Sequence, residues 1–256
     1  MAVRYLVQTM MTPTSKPVIP LFLDRVMLDA GVRYYVPLDF ERYPHTLVMG
    51  ATGSGKSFCC LILLGKISLY LSNTAKATVC DYKKSDEFEF LKGCAHYYSF
   101  MECEQGLENF FQEFQARQQG KDSSRDFRLL LFDEFSSYIN IIPEKKKIDE
   151  EKAKFATLLL LGRSFNCHVL LGIQRPDASY FSAGARDQFS TVVALGNLTK
   201  EAAGMFGFDR ELMQPVYQRE RGAGYLLQGG TNLTAIQVPR IRDMEKLHAA
   251  IRRLVI

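Results

Sequence analysis

"GATGSGKS", residues 50–57, fits the pattern G-x-x-x-x-G-K-[ST] at every defined position. An apolar run, LVM at 47–49, precedes it, and a stretch apolar almost all round follows it from Lys56 to about Leu71. That context predicts a buried strand, a tight turn and a buried helix. Glycines let main-chain N–H groups turn inward around a phosphate where side chains would obstruct them. The helix that starts there aims the positive end of its dipole at the same point. Gly50, Ala51, Thr52, Gly53, Ser54, Gly55, Lys56, Ser57 and Phe58 are therefore the expected nucleotide cradle. Lys56 would reach the β- and γ-phosphates, and the Ser57 hydroxyl would bind Mg²⁺.

A phosphate loop alone hydrolyses nothing. The partner element should be a buried strand ending in acid, and LLLFDE at 129–134 supplies one. Its four apolar residues bury the strand, so Asp133 and Glu134 emerge together at its carboxyl end, where open α/β sheets bind ligands. Asp133 is expected to hold the magnesium shell, and Glu134 to orient or deprotonate the attacking water.

Outside these two motifs the chain alternates strand and helix patterns. Strands are expected at 77–81, 128–132, 168–173, 191–195, 225–227 and 234–238. Leu107, Phe110, Phe111 and Phe114 fall on one helical face, as do Leu247, Ile251 and Leu254 behind an N-cap at Asp243. Such alternation implies an α/β fold with a largely parallel sheet covered on both sides. Residues 1–46 carry most of the prolines and read as an N-terminal arm with short strands packed on the core, leaving 47–256 as the main domain.

The 256 residues, 47% apolar and 23% charged, are ample for one decorated α/β domain. A net charge of +4 permits an anionic partner without requiring one. The six cysteines are scattered without a CxxC pair, and Cys94, His96 and Cys103 fit no zinc spacing, so a reducing, cytoplasmic setting is expected. No apolar stretch approaches the ~20 residues of a membrane span.

A third segment, LGRSFNCHVLLGIQRPD at 161–177, extends the series. GATGSGKS, LLLFDEF, GR-x4-H and IQRPD, in that order, resemble the FtsK/SpoIIIE branch of the FtsK–HerA superfamily of ring ATPases. The resemblance spans roughly residues 35–240. It includes CDYKKSDEFEFL at 80–91, similar to the family's Asp-Pro-Lys strand end, and RGAGYLL at 221–227, similar to its late glycine-rich strand. It implies a RecA-like fold that hydrolyses ATP with Mg²⁺. It also implies that Gln174 senses the γ-phosphate and that Arg163 is an arginine finger completing a neighbouring subunit's site. Arg175 is a second candidate for the finger, Arg163 has an alternative reading as a helix C-terminal cation, and Gln174 one as a strand-end amide. Tyr82 stands where the family has proline, which leaves the role of Lys83 open.

The resemblance further implies a homo-oligomeric, hexameric ring that moves double-stranded DNA through its pore by backbone contacts. Family members usually add a membrane-anchored portion or a winged-helix module. Neither pattern occurs in these 256 residues, which favours a compact motor of conjugative elements or plasmids, recruited by a relaxase or a membrane-bound transfer protein. A protein-secretion ATPase and a nucleotide-dependent scaffold are the alternatives. Pore contacts are expected from loops at 143–154, with Lys145, Lys146 and Lys147, and at 179–188, with Arg186. A solvated hinge is the alternative for the first run.

Overall fold

The computed structural model describes residues 18–71, 73–181, 184–214 and 220–256. Its centre is a ten-stranded sheet among the described residues, in the order β2-β1-β10-β9-β8-β3-β7-β6-β4-β5. The parallel half comprises β8 (Thr191–Leu195), β3 (His45–Gly50), β7 (Cys167–Ile173), β6 (Arg128–Asp133), β4 (Lys76–Asp81) and β5 (Tyr97–Ser99). β9 (Ala223–Gln228), β10 (Asn232–Gln237), β1 (Ile19–Asp24) and β2 (Tyr35–Leu38) continue it as an antiparallel wing.

The run RLLLFD shows why the sheet is covered on both faces. Side chains alternate along a strand, so Leu130 and Phe132 join one apolar layer and Leu129 and Leu131 the other. The first layer packs under α3 (Cys103–Gln118), α4 (Phe135–Ile141) and α5 (Lys145–Leu161), with Phe110, Phe114, Phe135 and Phe155 at its centre. Beneath the second lie α2 (Lys56–Tyr70) and α7 (Met244–Val255). Gly65 is where these two helices touch, since a Cβ there would run into Leu247. Asp243 caps α7 by accepting the Lys246 N–H at 3.0 Å, and Leu247, Ile251 and Leu254 are buried as their spacing requires.

Two expectations are refined. First, the N-terminal arm, expected as short strands packed on the core, joins the sheet itself. β1 and β2 are strands of the central sheet, and a boundary after residue 46 would cut β3, which starts at His45. The apolar residues of β1 (Ile19, Leu21 and Phe22 are buried) make it an edge extension that covers β10. Residues 1–17 of that arm lie outside the described residues. Second, 143–154 is not a loop, because α5 begins at Lys145. No glycine or proline follows Pro143 in that run, and its Lys, Glu and Ala residues favour helix.

Candidate active site

The cradle forms where β3 gives way to α2. Gly53 and Gly55 take φ of +82° and +96°, in the left-handed region, and Gly55 is the N-cap of α2. Gly50 has no room for a side chain: a Cβ would meet Ser54 Oγ and, at 2.8 Å, the Leu195 carbonyl. The turn is braced from outside by the Gly222 N–H, which donates to the Ser54 carbonyl at 2.8 Å.

β3 and β6 are not neighbours, because β7 runs between them. Gly172 of β7 faces Asp133 in register, and it is what lets the loop lysine reach the acids across the intervening strand. A Cβ at 172 would overlap Asp133 Oδ1 and lie 3.4 Å from Lys56 Nζ. Through that gap Lys56 Nζ bonds Asp133 Oδ1 and sits 2.9 Å from Glu134 Oε1. Ser57 Oγ donates to Asp133 Oδ2 at 3.2 Å. Glu134 is buried and adopts φ +66°, rare for a residue with a side chain. Its N–H donates to the Gly172 carbonyl at 2.8 Å, and Lys83 Nζ approaches Oε1 at 3.3 Å.

These contacts set the electrostatics. Burial works against the charge on Lys56, but the Asp133 and Glu134 carboxylates outweigh it, and its pKa lies above the ordinary value. Asp81, opposite Asp133 at the end of β4, has its pKa pushed up to about 6. Burial is the main cause and the Asp133 charge adds to it, against hydrogen bonds from the Ser85 N–H and the Tyr97 hydroxyl.

The cleft is lined by Ala51, Thr52, Gly53, Gly55, Lys56, Ser57 and Phe58 of the cradle, by Asp133 and Glu134, and by Gln174, which follows β7. Lys83, Ser85, Glu87 and Arg221 complete it. Sequence reasoning did not assign Gly172 or Arg221 to the site. Gly172 lay inside the quoted LGIQRPD run, but only the strand order makes it meaningful. The cleft suits a magnesium–triphosphate: a hydroxyl and a carboxylate are hard oxygen donors, and the glycine cradle has space for phosphate only while side chains are absent. Ser57 and Asp133 are the residues that would hold the ion.

Arg163 stands apart. It is exposed on the 3-10 turn Gly162–Phe165 at the end of α5 and does not line its own chain's cleft. The turn is held by buried Arg117, whose Nη1 donates to the Phe165 carbonyl at 2.7 Å and the Asp126 carbonyl at 2.8 Å. Arg175 is exposed beyond Gln174. Of the residues expected to touch DNA, Lys147 is bonded to Glu104 Oε2 at 2.6 Å and Lys146 lies 3.9 Å from Glu150, both in the first turns of α5. Arg186 lies on the 3-10 turn Arg186–Gln188, 3.5 Å from Asp187.

The chain is 27% identical over 206 residues to the FtsK domain-containing protein YdcQ of Bacillus subtilis (strain 168), covering 75% of this chain and 42% of YdcQ. This chain resembles an FtsK-type ATPase domain. No family model matches it. The conjugation coupling protein TcpA of pCW3, solved with ATPγS, superposes with a TM-score of 0.71 at 16% identity over 94% of this chain and 71% of that one. The cytoplasmic domain of the type VII secretion ATPase EccC of Thermomonospora curvata superposes with a TM-score of 0.68 at 20% identity, over 98% of this chain and 32% of that one. These likenesses establish a RecA-like P-loop ATPase fold. The chain thus spans less than half of the curated relative that it matches. No described helix is long and apolar enough to cross a membrane.

The gap at Gly172 gives a direct check. Gly172→Ala should lower ATP turnover by about 10², the scale expected when reacting groups are displaced by an ångström, with only a small change in melting temperature. Undiminished turnover would show that the acid–lysine contact does not depend on that gap.

Proposed function

We propose that this chain hydrolyses ATP with Mg²⁺ in a homo-oligomeric ring, with a hexamer as the expected form, and uses the energy to move double-stranded DNA in conjugative or plasmid transfer. The observation that carries the reading is the convergence of Lys56, Ser57, Asp133, Glu134 and Gln174 on one cleft while Arg163 stays outside it. In this reading Arg163, outside its own cleft, completes the site of a neighbour.

The geometry supports the following roles. Lys56 is paired with both acids in this structure. On binding, the β- and γ-phosphates compete for its ammonium, and its departure frees the Glu134 carboxylate to accept a proton from water. Ser57 and Asp133 would hold Mg²⁺, which would neutralise charge on the phosphates. Gln174 lines the cleft, which supports its reading as the residue that senses the phosphoryl group. Arg163 from the next subunit spreads the charge of the transferring group through its planar guanidinium.

Support for a polyanionic cargo comes from α5. Lys145, Lys146 and Lys147 crowd its first turn, where the helix dipole favours acids and disfavours cations. Ion pairs with Glu104 and Glu150 offset part of that cost for Lys147 and Lys146, and phosphate contacts would offset more. Arg186 is proposed as a further DNA contact. A cytoplasmic location, with recruitment by a relaxase or a membrane-bound transfer protein, goes with this reading.

The fold shared with EccC favours a second reading, an ATPase that drives protein secretion. Phosphate release with and without linear duplex separates the two. The DNA reading expects duplex to raise ATP turnover several-fold, with the stimulation falling steeply as salt rises. Turnover indifferent to duplex but raised by a protein partner would overturn it in favour of secretion or scaffolding.

A further inference from the structure

Lys56, Lys83 and Arg221 are the cations among the described residues that line the nucleotide cleft. The first two lie against Glu134, at 2.9 and 3.3 Å. Arg221 has no carboxylate within ion-pair distance among the described residues, and it is solvent-exposed. Its backbone is nevertheless fixed on the phosphate loop. The next residue, Gly222, donates its N–H to the Ser54 carbonyl at 2.8 Å. A Cβ added to Gly55 would lie 3.3 Å from Gly222 N and 3.4 Å from Arg221 Cγ, so the arginine stem runs along the left-handed N-cap of α2. From the other side, Gln237 Nε2 of β10 donates to the Arg221 carbonyl at 3.3 Å.

We infer that Arg221 is a nucleotide-binding residue of its own chain's site, its guanidinium engaging oxygens of the triphosphate beside the loop N–H groups. The inference rests on the ATP reading of this cleft and adds a residue to it. With Lys56 and Lys83 both facing a carboxylate, Arg221 is the cleft cation whose charge is not already matched. An arginine fork meets two phosphate oxygens with parallel N–H groups held in one plane, a geometry that a lysine lacks. Because it acts in cis from the segment leading into β9, its contribution differs from that of Arg163, which stands outside the cleft.

The test is a titration of a fluorescent ATP analogue against the parent, R221M and R221K, with inorganic triphosphate as competitor. R221M keeps the stem that lies on Gly55 and removes the charge. It should bind the analogue about ten- to a hundredfold more weakly, the worth of one or two charge-assisted hydrogen bonds. Competition by inorganic triphosphate should weaken by the same factor, and R221K should lose less. Melting temperatures without nucleotide check the fold, and R221Q replaces R221M if that variant melts below the parent. Unchanged analogue affinity, or a loss that inorganic triphosphate does not share, would overturn the phosphate contact. Failure of the parent itself to bind the analogue would instead sink the ATP reading.

Discussion

Glu134→Gln will bind ATP and hardly turn it over. The substitution keeps the size of the side chain and removes the carboxylate proposed to accept the proton from the attacking water. General-base catalysis of this kind contributes about 10²–10⁴ in rate. The proposed cradle of Gly53, Gly55, Lys56 and Ser57 is left in place, since Glu134 is not part of it. The loss of one negative charge also leaves Lys56 and Lys83 less neutralised, since both face Oε1 in this structure. Nucleotide affinity should therefore hold or rise while phosphate release falls by about 10² or more. Binding and release measured on the same preparation distinguish this from misfolding. Turnover equal to the parent's would assign the base elsewhere.

The second large effect concerns Arg163. Alone, Arg163→Ala should lower turnover by about 10³, the lower end of what an arginine finger supplies. Alone, Lys56→Ala should be inactive as well, because its own cradle lacks the phosphate cation. Mixed, the two should recover part of the parent's activity. A Lys56→Ala subunit still carries Arg163 and can complete the intact cradle of an Arg163→Ala neighbour. Arg175→Ala in the same mixture is the comparator, since Arg175 is also exposed near the cleft rim. Absence of recovery at every mixing ratio would remove the finger role from Arg163, and recovery in the Arg175→Ala mixture alone would transfer it.

Much of the site was readable from the chain because its parts are local. A glycine-rich turn followed by Lys-Ser specifies its own conformation within eight residues, since only glycine reaches φ values such as +82° and +96° without strain. Four apolar residues before Asp133-Glu134 likewise specify a buried strand with acid at its end. The periodicities behind α3 and α7 worked for the same reason: helical spacing is a property of the segment itself.

What failed to show in the chain was non-local. The lysine run at 145–147 reads as a loop by charge although its residues favour helix, and the burial of Phe155, Leu158 and Leu159 further along α5 holds that helix on the sheet. Residues 19–24 and 35–38 are short and rich in proline nearby, so their membership of the central sheet depended on β10 presenting an edge to pair with.

By itself the sequence determined the phosphate cradle, the acidic strand end and the α/β alternation, because each is written within a single segment. Only the tertiary structure decided that β7 lies between the two motifs and that Gly172 leaves the gap through which Lys56 reaches the acids. It alone brought Arg221 to the cleft and left Arg163 outside it. Strand order and long-range pairing are chosen by which faces bury together, and that choice is made by the whole chain at once.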